Sequence, residues 1–334
     1  MDPARDSKLT EADLVKAKQS IDKINAAFKK KVVGQDELRT ALLVTMLTGG
    51  HILLESVPGL AKTLAAKTIA EATSGTFSRV QCTPDLLPSD IIGTQIYNYN
   101  NGTFETKIGP VHANFVLLDE INRSSAKTQS AMLEAMQEKQ VTIAGVNYVM
   151  PKPFFVLATQ NPIEQEGTYE LPEAQLDRFL LKEVVNYPSR DEELQVLNYT
   201  IAGATTAPLP DADKIPIDSV IELQEFTKCV AVDDSIKTYI LNIIQATRNP
   251  REVIDPTLAR YVEYGVSPRG SLALMQVAQA LALINNRAYV TPDDVKELRH
   301  AALRHRIILN YEADADDVHS EAIIDAIFSK IKTP

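Results

Sequence analysis

The spacing of hydrophobic residues near the amino terminus predicts two helices. Residues 11–29 carry apolar side chains close to the period of one helical face, which indicates an amphipathic helix. A second helix is predicted to follow Gln35 and to run to Leu47, because Gly49 and Gly50 come soon after it.

The pattern changes at His51, where short apolar runs begin to alternate with helical periods. The runs 52–54, 115–118 and 154–158 are continuously apolar, and helices are predicted between them near 62–73 and 125–138. Strands with unbroken apolar runs are typically buried on both faces, and strands that alternate with helices pair in parallel. We therefore predict a parallel sheet covered by helices.

Two further segments indicate β-hairpins inserted between these elements. Residues 97–104 place the turn Asn101-Gly102 between strand-forming residues, and residues 141–149 show a second strand–turn–strand pattern.

The strand pattern fades after Asn186, and the rest of the chain is predominantly helical in period. Residues 203–216 are rich in Ala, Thr, Pro and Asp, which is typical of a linker. Helices are predicted at 217–228, 233–248, 270–287 and 292–305. The predicted organisation is an α/β domain with the N-terminal helix and both hairpins over 1–202, a linker over 203–216, and a smaller all-helical domain over 217–334.

Composition is that of an ordinary soluble globular protein, since 45% of the 334 residues are hydrophobic and 23% are charged. A chain of this length is expected to hold roughly two domains. Cys82 and Cys229 are too few for a disulfide framework or a cysteine zinc site. With 44 acidic and 34 basic residues, the net charge of −10 argues against a globally basic nucleic-acid binder.

Membrane and secretion signals are not found in the sequence. No stretch approaches the roughly 20 apolar residues that span a bilayer. The residues after Met1 lead into a charged segment without the apolar core of a secretory signal. We therefore expect a cytoplasmic protein without a membrane segment.

The segment from Ser56 to Thr63, between a predicted strand and a predicted helix, is a candidate phosphate loop. It departs from the glycine-rich pattern at both glycine positions, which are Ser56 and Ala61. These replacements suggest that neither position requires a positive φ. Lys62 would reach the β- and γ-phosphates and Thr63 would hold Mg²⁺. Taken alone, the segment fits a plain strand–loop–helix turn with a chance Lys-Thr pair equally well.

Polar side chains follow the second and third apolar runs. Asp119 and Glu120 end the second run, at the sheet edge where ligands bind in parallel folds. Asp119 can bind Mg²⁺ and Glu120 can polarise an attacking water, although a solvated acidic turn is the plain alternative. Asn161 follows the third run and is a candidate for orienting that water, or an ordinary turn former.

Taken together, these segments resemble the AAA+ ATPases, and among them the MoxR family. Residues 53–63 look like the Walker A segment, 119–123 like Walker B with its Asn-Arg extension, and 158–162 like sensor 1. Further similar segments are the arginine-finger stretch 171–179, the sensor 2 stretch 267–270 and the adenine-proximal stretch 32–35. The resemblance runs in order from about residue 25 to residue 310.

The resemblance implies a five-stranded parallel sheet with a helical lid, and ATP with Mg²⁺ bound between them in a homo-hexameric ring. The implied metal ligands are Thr63 and Asp119. The implied nucleotide-binding residues are Val33, Gly34, Ser56, Val57, Pro58, Gly59, Leu60, Ala61, Lys62, Thr63 and Leu64.

The same resemblance assigns roles to arginines. A planar guanidinium matches the charge spread over a transferring phosphoryl group. Arg178 is expected to reach the nucleotide of the next subunit, and Arg269 the γ-phosphate of its own subunit. Arg123 has two alternative roles, as a finger in trans beside Arg178 or as a support of the Walker B-like segment. The plain alternative for Arg178 is an ion pair with Asp177 or Glu173.

The function implied is ATP-driven remodelling that assists maturation or metal and cofactor insertion of client complexes, with partners that carry a von Willebrand factor A domain. A magnesium-chelatase-like subunit, a nucleic-acid motor and a non-hydrolysing scaffold are the alternatives. The first hairpin offers Lys107 against Glu105 and the second only Lys139 and Lys152 at its edges, so neither resembles a basic groove. No nucleic-acid partner is therefore expected.

Overall fold

A computed structural model describes residues 9–162 and 169–334. The first eight residues, for which no secretory signal is expected, lie outside the described part of the chain. The described strands are β1 (Ile52–Glu55), β2 (Phe77–Gln81), β3 (Gly93–Asn98), β4 (Thr103–Ile108), β5 (Phe115–Asp119), β6 (Gln140–Ile143), β7 (Val146–Val149), β8 (Phe155–Gln160), β9 (Leu181–Val184), β10 (Val262–Tyr264) and β11 (Ile308–Leu309).

Five of these strands form one parallel sheet in the order β2-β5-β8-β1-β9. The three central strands are the apolar runs that the sequence predicts. The register pairs Glu55 with Gln160 and Gln81 with Asp119. The loops that follow β1, β5 and β8 therefore leave the sheet at one edge, the carboxyl edge, which gathers the candidate polar residues.

The described helices cover both faces of the sheet and make up most of the C-terminal part. They are α1 (Glu11–Lys31), α2 (Asp36–Thr48), α3 (Lys62–Ala72), α4 (Pro88–Ile92), α5 (Ala126–Glu138), α6 (Glu173–Leu176), α7 (Arg190–Ile201), α8 (Ile217–Cys229), α9 (Asp234–Arg248), α10 (Pro256–Ala259), α11 (Pro268–Ile284), α12 (Pro292–Glu297), α13 (Arg299–Leu303), α14 (Tyr311–Ala315) and α15 (Ser320–Lys330).

Local sequence signals set the helix ends. Thr10 forms a capping box with Asp13 at the start of α1, and Gly49 ends α2 with φ +67°. The helix predicted at 292–305 is two helices in the structure, α12 and α13. Leu298 lies between them with φ −108° and ψ +28°, which is outside the helical region.

Both predicted hairpins are present. β3 pairs with β4 and β6 pairs with β7, each in antiparallel register. Gly102 and Gly145 have φ of +69° and +82° in the two turns, a conformation that favours glycine.

The core occupies both faces of the sheet and continues into the C-terminal helices. Leu54 and Leu117 join a cluster that also contains Leu42 of α2 and Leu274 of α11. Leu53 belongs to a second cluster on the other face. The C-terminal part is helical except for the two-stranded ribbon β10–β11, so the expectation of an all-helical region needs this correction. Among the described helices, none combines the length and apolarity that a bilayer crossing requires.

Candidate functional site

The candidate phosphate loop connects β1 to α3 at the carboxyl edge. Ser56 is buried, and its backbone N–H donates to the carbonyl oxygen of Gln160 at 3.2 Å, which ties the loop to β8. Gly59 forms the exposed turn with φ +90°. α3 begins at Lys62, so the loop leads directly into the backbone N–H groups that the first helical turn leaves unpaired, which favour an anion.

Ala61 occupies a strained backbone position in this loop. It has φ +54° and ψ +15° and precedes the first residue of α3. The expectation that neither replaced glycine position requires a positive φ is therefore wrong at Ala61. A residue with a Cβ pays roughly 1–2 kcal/mol in this region, and strain of this kind is often stored at functional sites.

The amine of Lys62 folds back over the loop. Its Nζ donates to the carbonyl oxygens of Ser56 at 3.3 Å and Val57 at 3.4 Å. Burial lowers the pKa of Lys62, while the charges of Asp119 and Glu120 oppose this shift. The structure thus brings the loop cation and the two adjacent carboxylates into one electrostatic site.

Asp119, at the end of β5, has both carboxylate oxygens engaged. Thr159 Oγ1 donates to Oδ1 at 2.8 Å, and Arg79 Nη2 donates to Oδ2 at 2.6 Å. Thr159 therefore fixes the orientation of Asp119, and Arg79 balances its charge. Neither contact was predicted from the sequence.

Glu120 is held by its backbone as well as by its side chain. Its φ is +58°, and its backbone N–H donates to Thr159 Oγ1 at 2.8 Å. Gln81 Nε2 and Arg123 Nη1 donate to its Oε2 at 2.9 and 3.2 Å. Arg123 thus contacts Glu120 within its own chain, which matches the supporting role considered for it.

The oxygen donors at this edge suit Mg²⁺. Asp119 ends β5, Thr63 lies in the first turn of α3, and α3 packs against β5. Mg²⁺ is normally held by one or two carboxylates together with water and substrate phosphates. Within residues 9–162 and 169–334, no cluster of three His, Cys, Asp or Glu side chains could hold a metal alone. The donor set therefore fits a metal that shares its ligands with a nucleotide.

Asn161 and the Val33–Gly34 stretch lie at the same edge as the loop. Asn161 follows β8 and is buried. Gly34 lies so close to the carboxylate of Glu192 that a larger residue at this position would collide with it. The Val185 N–H donates to the Glu55 carbonyl oxygen at 2.9 Å, so the segment that leads to Glu192 starts beside the phosphate loop.

Arg178 and Arg269 lie at the opposite, amino edge of the sheet. They line a pocket of about 240 Å³ together with His51, which directly precedes β1. The phosphate loop follows the other end of β1. The expectation that Arg269 contacts the γ-phosphate of its own subunit is therefore contradicted by its position.

The plain alternative for Arg178, an ion pair with its neighbour Asp177, is not formed, because Asp177 contacts a distant part of the chain instead. Arg306 Nε donates to Asp177 Oδ1 at 2.8 Å, and Ser267 Oγ donates to Oδ2 at 2.9 Å. Among the described residues, the buried Nε of Arg178 has no hydrogen-bond partner. The contacts of Asp177 thus position the adjacent Arg178. The Nε–H group of Arg178 remains able to donate a hydrogen bond.

Three residues that contact the carboxylate residues were not predicted from the sequence: Thr159, Arg79 and Gln81. Thr159 falls inside the sensor 1-like segment but was not singled out there. Arg79 and Gln81 alternate on β2, so both point to the same face and reach Asp119 and Glu120. Polar residues at alternate positions of an edge strand were the available signal.

Two family models match this chain, one in the α/β part and one in the C-terminal part. Residues 51–181 match the family described as "ATPase family associated with various cellular activities (AAA)", and residues 257–327 match the AAA lid domain.

Individual relatives resemble nearly the whole chain. The Chaperone MoxR1 of Mycobacterium tuberculosis is 47% identical over 307 residues, which are 92% of this chain and 80% of that protein. The Protein MoxR of Paracoccus denitrificans is 31% identical over 325 residues, covering 92% and 95%. A crystal structure of a Cytophaga hutchinsonii protein assigned as an ATPase superposes with a TM-score of 0.89 at 45% identity, covering 97% and 98%. With this fold, this carboxyl edge and these relatives, the chain belongs to the MoxR family of AAA ATPases.

Proposed function

We propose that this protein binds ATP with Mg²⁺ at the carboxyl edge and hydrolyses it. The observation that carries the proposal is that Lys62 shares one electrostatic site with Asp119 and Glu120, which Thr159 joins through two hydrogen bonds of 2.8 Å. A cation and two oriented carboxylates at a helix N-terminus are the groups that phosphoryl transfer to water requires.

In this proposal, each residue of the site has a distinct chemical role. Lys62 and the first turn of α3 would bind the negative charge of the phosphates, and Thr63 and Asp119 would hold the metal. A bound Mg²⁺ would neutralise charge on the phosphate oxygens. Glu120 accepts the proton of the attacking water, and Asn161 orients that water.

The nucleotide site is completed by a second subunit in this proposal. Arg178 and Arg269 lie at the amino edge, away from the loop of their own chain. In a head-to-tail ring, the amino edge of one subunit can face the carboxyl edge of the next. Both arginines would then act in trans on a neighbouring γ-phosphate, within a homo-hexamer.

We infer that the energy of hydrolysis serves remodelling of client protein complexes, including maturation or metal insertion, together with a von Willebrand factor A domain partner. The support is the likeness to a protein named as a chaperone, the Chaperone MoxR1. The first hairpin exposes Tyr99 and Phe104, at 88% and 67%, and carries little basic charge. Such a surface suits a protein client better than a phosphate backbone.

Two substitutions test the ATPase proposal by separating binding from turnover. Lys62→Ala removes the charge on the phosphates, so calorimetry should show much weaker ATP binding. Glu120→Gln preserves hydrogen bonding but removes the proton acceptor, so ATP should be retained without turnover. Unchanged affinity in Lys62→Ala, or normal phosphate release by Glu120→Gln, contradicts the assigned roles.

The remodelling proposal is tested with a heat-unfolded model protein, citrate synthase. We expect the wild-type protein with ATP and Mg²⁺ to reduce light scattering from its aggregation, and Glu120→Gln with ATP to lose the effect that depends on turnover. Equal protection by wild type with and without ATP would rule out ATP-driven remodelling.

A further inference from the structure

Helix α7 makes little contact with the rest of its own chain. None of the side chains from Arg190 to Ile201 is buried. Leu194 and Leu197 are each 58% exposed and Ile201 is 86% exposed. A helix of this length is marginal in water unless it packs against something. α7 therefore needs a covering surface.

The exposed apolar residues of α7 form one stripe. Leu194, Leu197 and Ile201 are spaced i, i+3 and i+7, which places them on one helical face. The half-buried residues Glu192 and Tyr199 lie on the opposite face and contact the chain. The stripe thus faces outward.

This stripe lies beside the candidate nucleotide site. Glu192 in the first turn of α7 contacts Gly34 of the adenine-proximal stretch. Under the proposed function, a second copy must bring Arg178 and Arg269 to that site. A surface of the same second copy is therefore close to α7.

The arginine-bearing face of the molecule complements α7 in polarity and charge. Leu272 lies three residues after Arg269 on α11, on the same helical face, and is 56% exposed. Arg178 lines the same pocket as Arg269. The first turn of α7 is acidic, with Asp191 and Glu193 exposed. One surface is apolar and acidic, and the other is apolar and basic.

We propose that α7 of one subunit docks on α11 of the next copy of this chain. The stripe Leu194–Leu197–Ile201 packs against Leu272, and the acidic first turn faces the side that carries Arg178 and Arg269. The two surfaces differ, so the contact is head-to-tail and repeats around a closed ring. This proposal rests on the proposed function, because the trans arginines identify the occupant.

Charge placed in the stripe tests the interface. Leu194→Lys with Leu197→Lys introduces cations that would be buried next to basic residues, so self-association should weaken by more than about tenfold. Gln195→Lys with Thr200→Lys adds the same charge to the same helix outside the stripe and should assemble like wild type. Sedimentation with ATP measures both. Undiminished assembly of the stripe variant overturns the proposal.

A disulfide tests the pairing itself. In a Cys229→Ser background, separately purified Leu197→Cys and Leu272→Cys proteins are mixed and oxidised, and a cross-linked dimer is expected on a non-reducing gel. Gln195→Cys mixed with Leu272→Cys is the matched control, because Gln195 lies outside the stripe. Equal cross-linking in both mixtures, or in neither, overturns the pairing of α7 with α11.

Nucleotide binding distinguishes failure of the interface from failure of the proposed function. ATP affinity of the stripe variant depends on the loop of its own chain, so calorimetry should match wild type while turnover falls. Absence of ATP binding in both wild type and the stripe variant would refute the proposed ATPase function. Loss of ATP binding in the stripe variant alone would instead place α7 in the nucleotide site and overturn its role as a docking helix.

Discussion

Arg306 and Asp177 form a part-buried ion pair, with Nε 2.8 Å from Oδ1, that connects the C-terminal helices to the segment preceding β9. The Arg306 guanidinium also donates to the carbonyl oxygens of Phe179 at 2.7 Å and Leu180 at 3.0 Å. Arg178 lies between these partners in the chain. The backbone on both sides of Arg178 is therefore held by Arg306, a buried residue of the C-terminal part.

Weakening this ion pair should lower turnover more than ATP binding. Asp177→Asn removes the charge but leaves Oδ1 to accept from Arg306, and its new amide can donate to Ser267 Oγ. We expect ATP affinity within a few-fold of wild type and a reduced hydrolysis rate, because Arg178 is less well fixed. The uncompensated Arg306 should also cost on the order of 1–3 kcal/mol of unfolding free energy.

The control for this variant is Glu173→Gln, which neutralises an exposed carboxylate on the adjacent α6. It should leave both rate and affinity unchanged. A rate in Asp177→Asn equal to that of the control would show that the ion pair does not position the finger.

Mixing inactive variants should restore activity if the arginines act in trans. Arg178→Ala and Glu120→Gln are each expected to bind ATP and hydrolyse it poorly, since a finger contributes about 10³–10⁵ in rate in related enzymes. In mixed rings, some intact Glu120 sites face intact Arg178 neighbours, so part of the phosphate release should return. Arg269→Ala should be complemented in the same way, because it lines the same amino-edge pocket.

Native mass spectrometry of the mixture verifies that mixed rings form. If activity in such rings does not change with the mixing ratio, the substituted arginine acts on the nucleotide of its own subunit. For Arg178, that result would make Arg123 the better finger in trans.

Replacing Ala61 by glycine should stabilise the protein. The φ of +54° is costly for alanine and accessible to glycine, although glycine gains entropy in the unfolded chain. The net increase in unfolding free energy should be about 0.5–1 kcal/mol, measured in urea. Ala26→Gly, at an exposed position inside α1, should instead lower it by about 1 kcal/mol. Equal losses in the two variants would contradict strain at Ala61.

His51 should make the fold sensitive to acid. Burial lowers its pKa from 6.5 to about 4, and its Nδ1 accepts from the Val156 N–H at 3.1 Å. The unfolded chain binds the proton more readily, so this stability is present above pH 6.5 and is lost as the pH falls toward 4. Between pH 7 and pH 5, the loss from this residue should be about 2 kcal/mol.

His51→Gln provides the comparison, since an amide can accept from Val156 and donate to the Met136 carbonyl oxygen, 3.2 Å from Nε2, without titrating. The difference between wild-type and variant unfolding free energies isolates His51 from other titrating groups. A difference that stays constant between pH 7 and pH 5 would refute its contribution.

Sequence patterns predicted the centre of the sheet and missed its edges. β1, β5 and β8 are buried on both faces and therefore have continuous apolar runs. β2 and β9 are edge strands, and residues such as Arg79 and Lys182 interrupt their apolar pattern. Side chains of an edge strand lie at the rim of the sheet, where helices cover them less completely, so polar ones can reach solvent or the site. Only the family resemblance implied five strands.

The candidate site was likewise predicted in part from the sequence. Lys62, Asp119 and Glu120 are gathered because they end or follow parallel strands, a relationship that chain order alone predicts. The placement of Arg269 depends on how the C-terminal helices pack against the sheet. That packing is fixed by contacts such as Arg306 with Asp177, which are 129 residues apart and have no periodic signature.

One buried cluster joins residues of α2, β1 and α11, so we expect these three elements to unfold together. Backbone amides of β1 and of α11 should exchange with deuterium through the same global opening and at similar free energies. A ligand bound at the carboxyl edge would then slow exchange in α11 of the same subunit, although it does not contact that copy of the helix. The C-terminal helices share this buried cluster with the sheet, so we expect nucleotide binding to change their exchange rates as well.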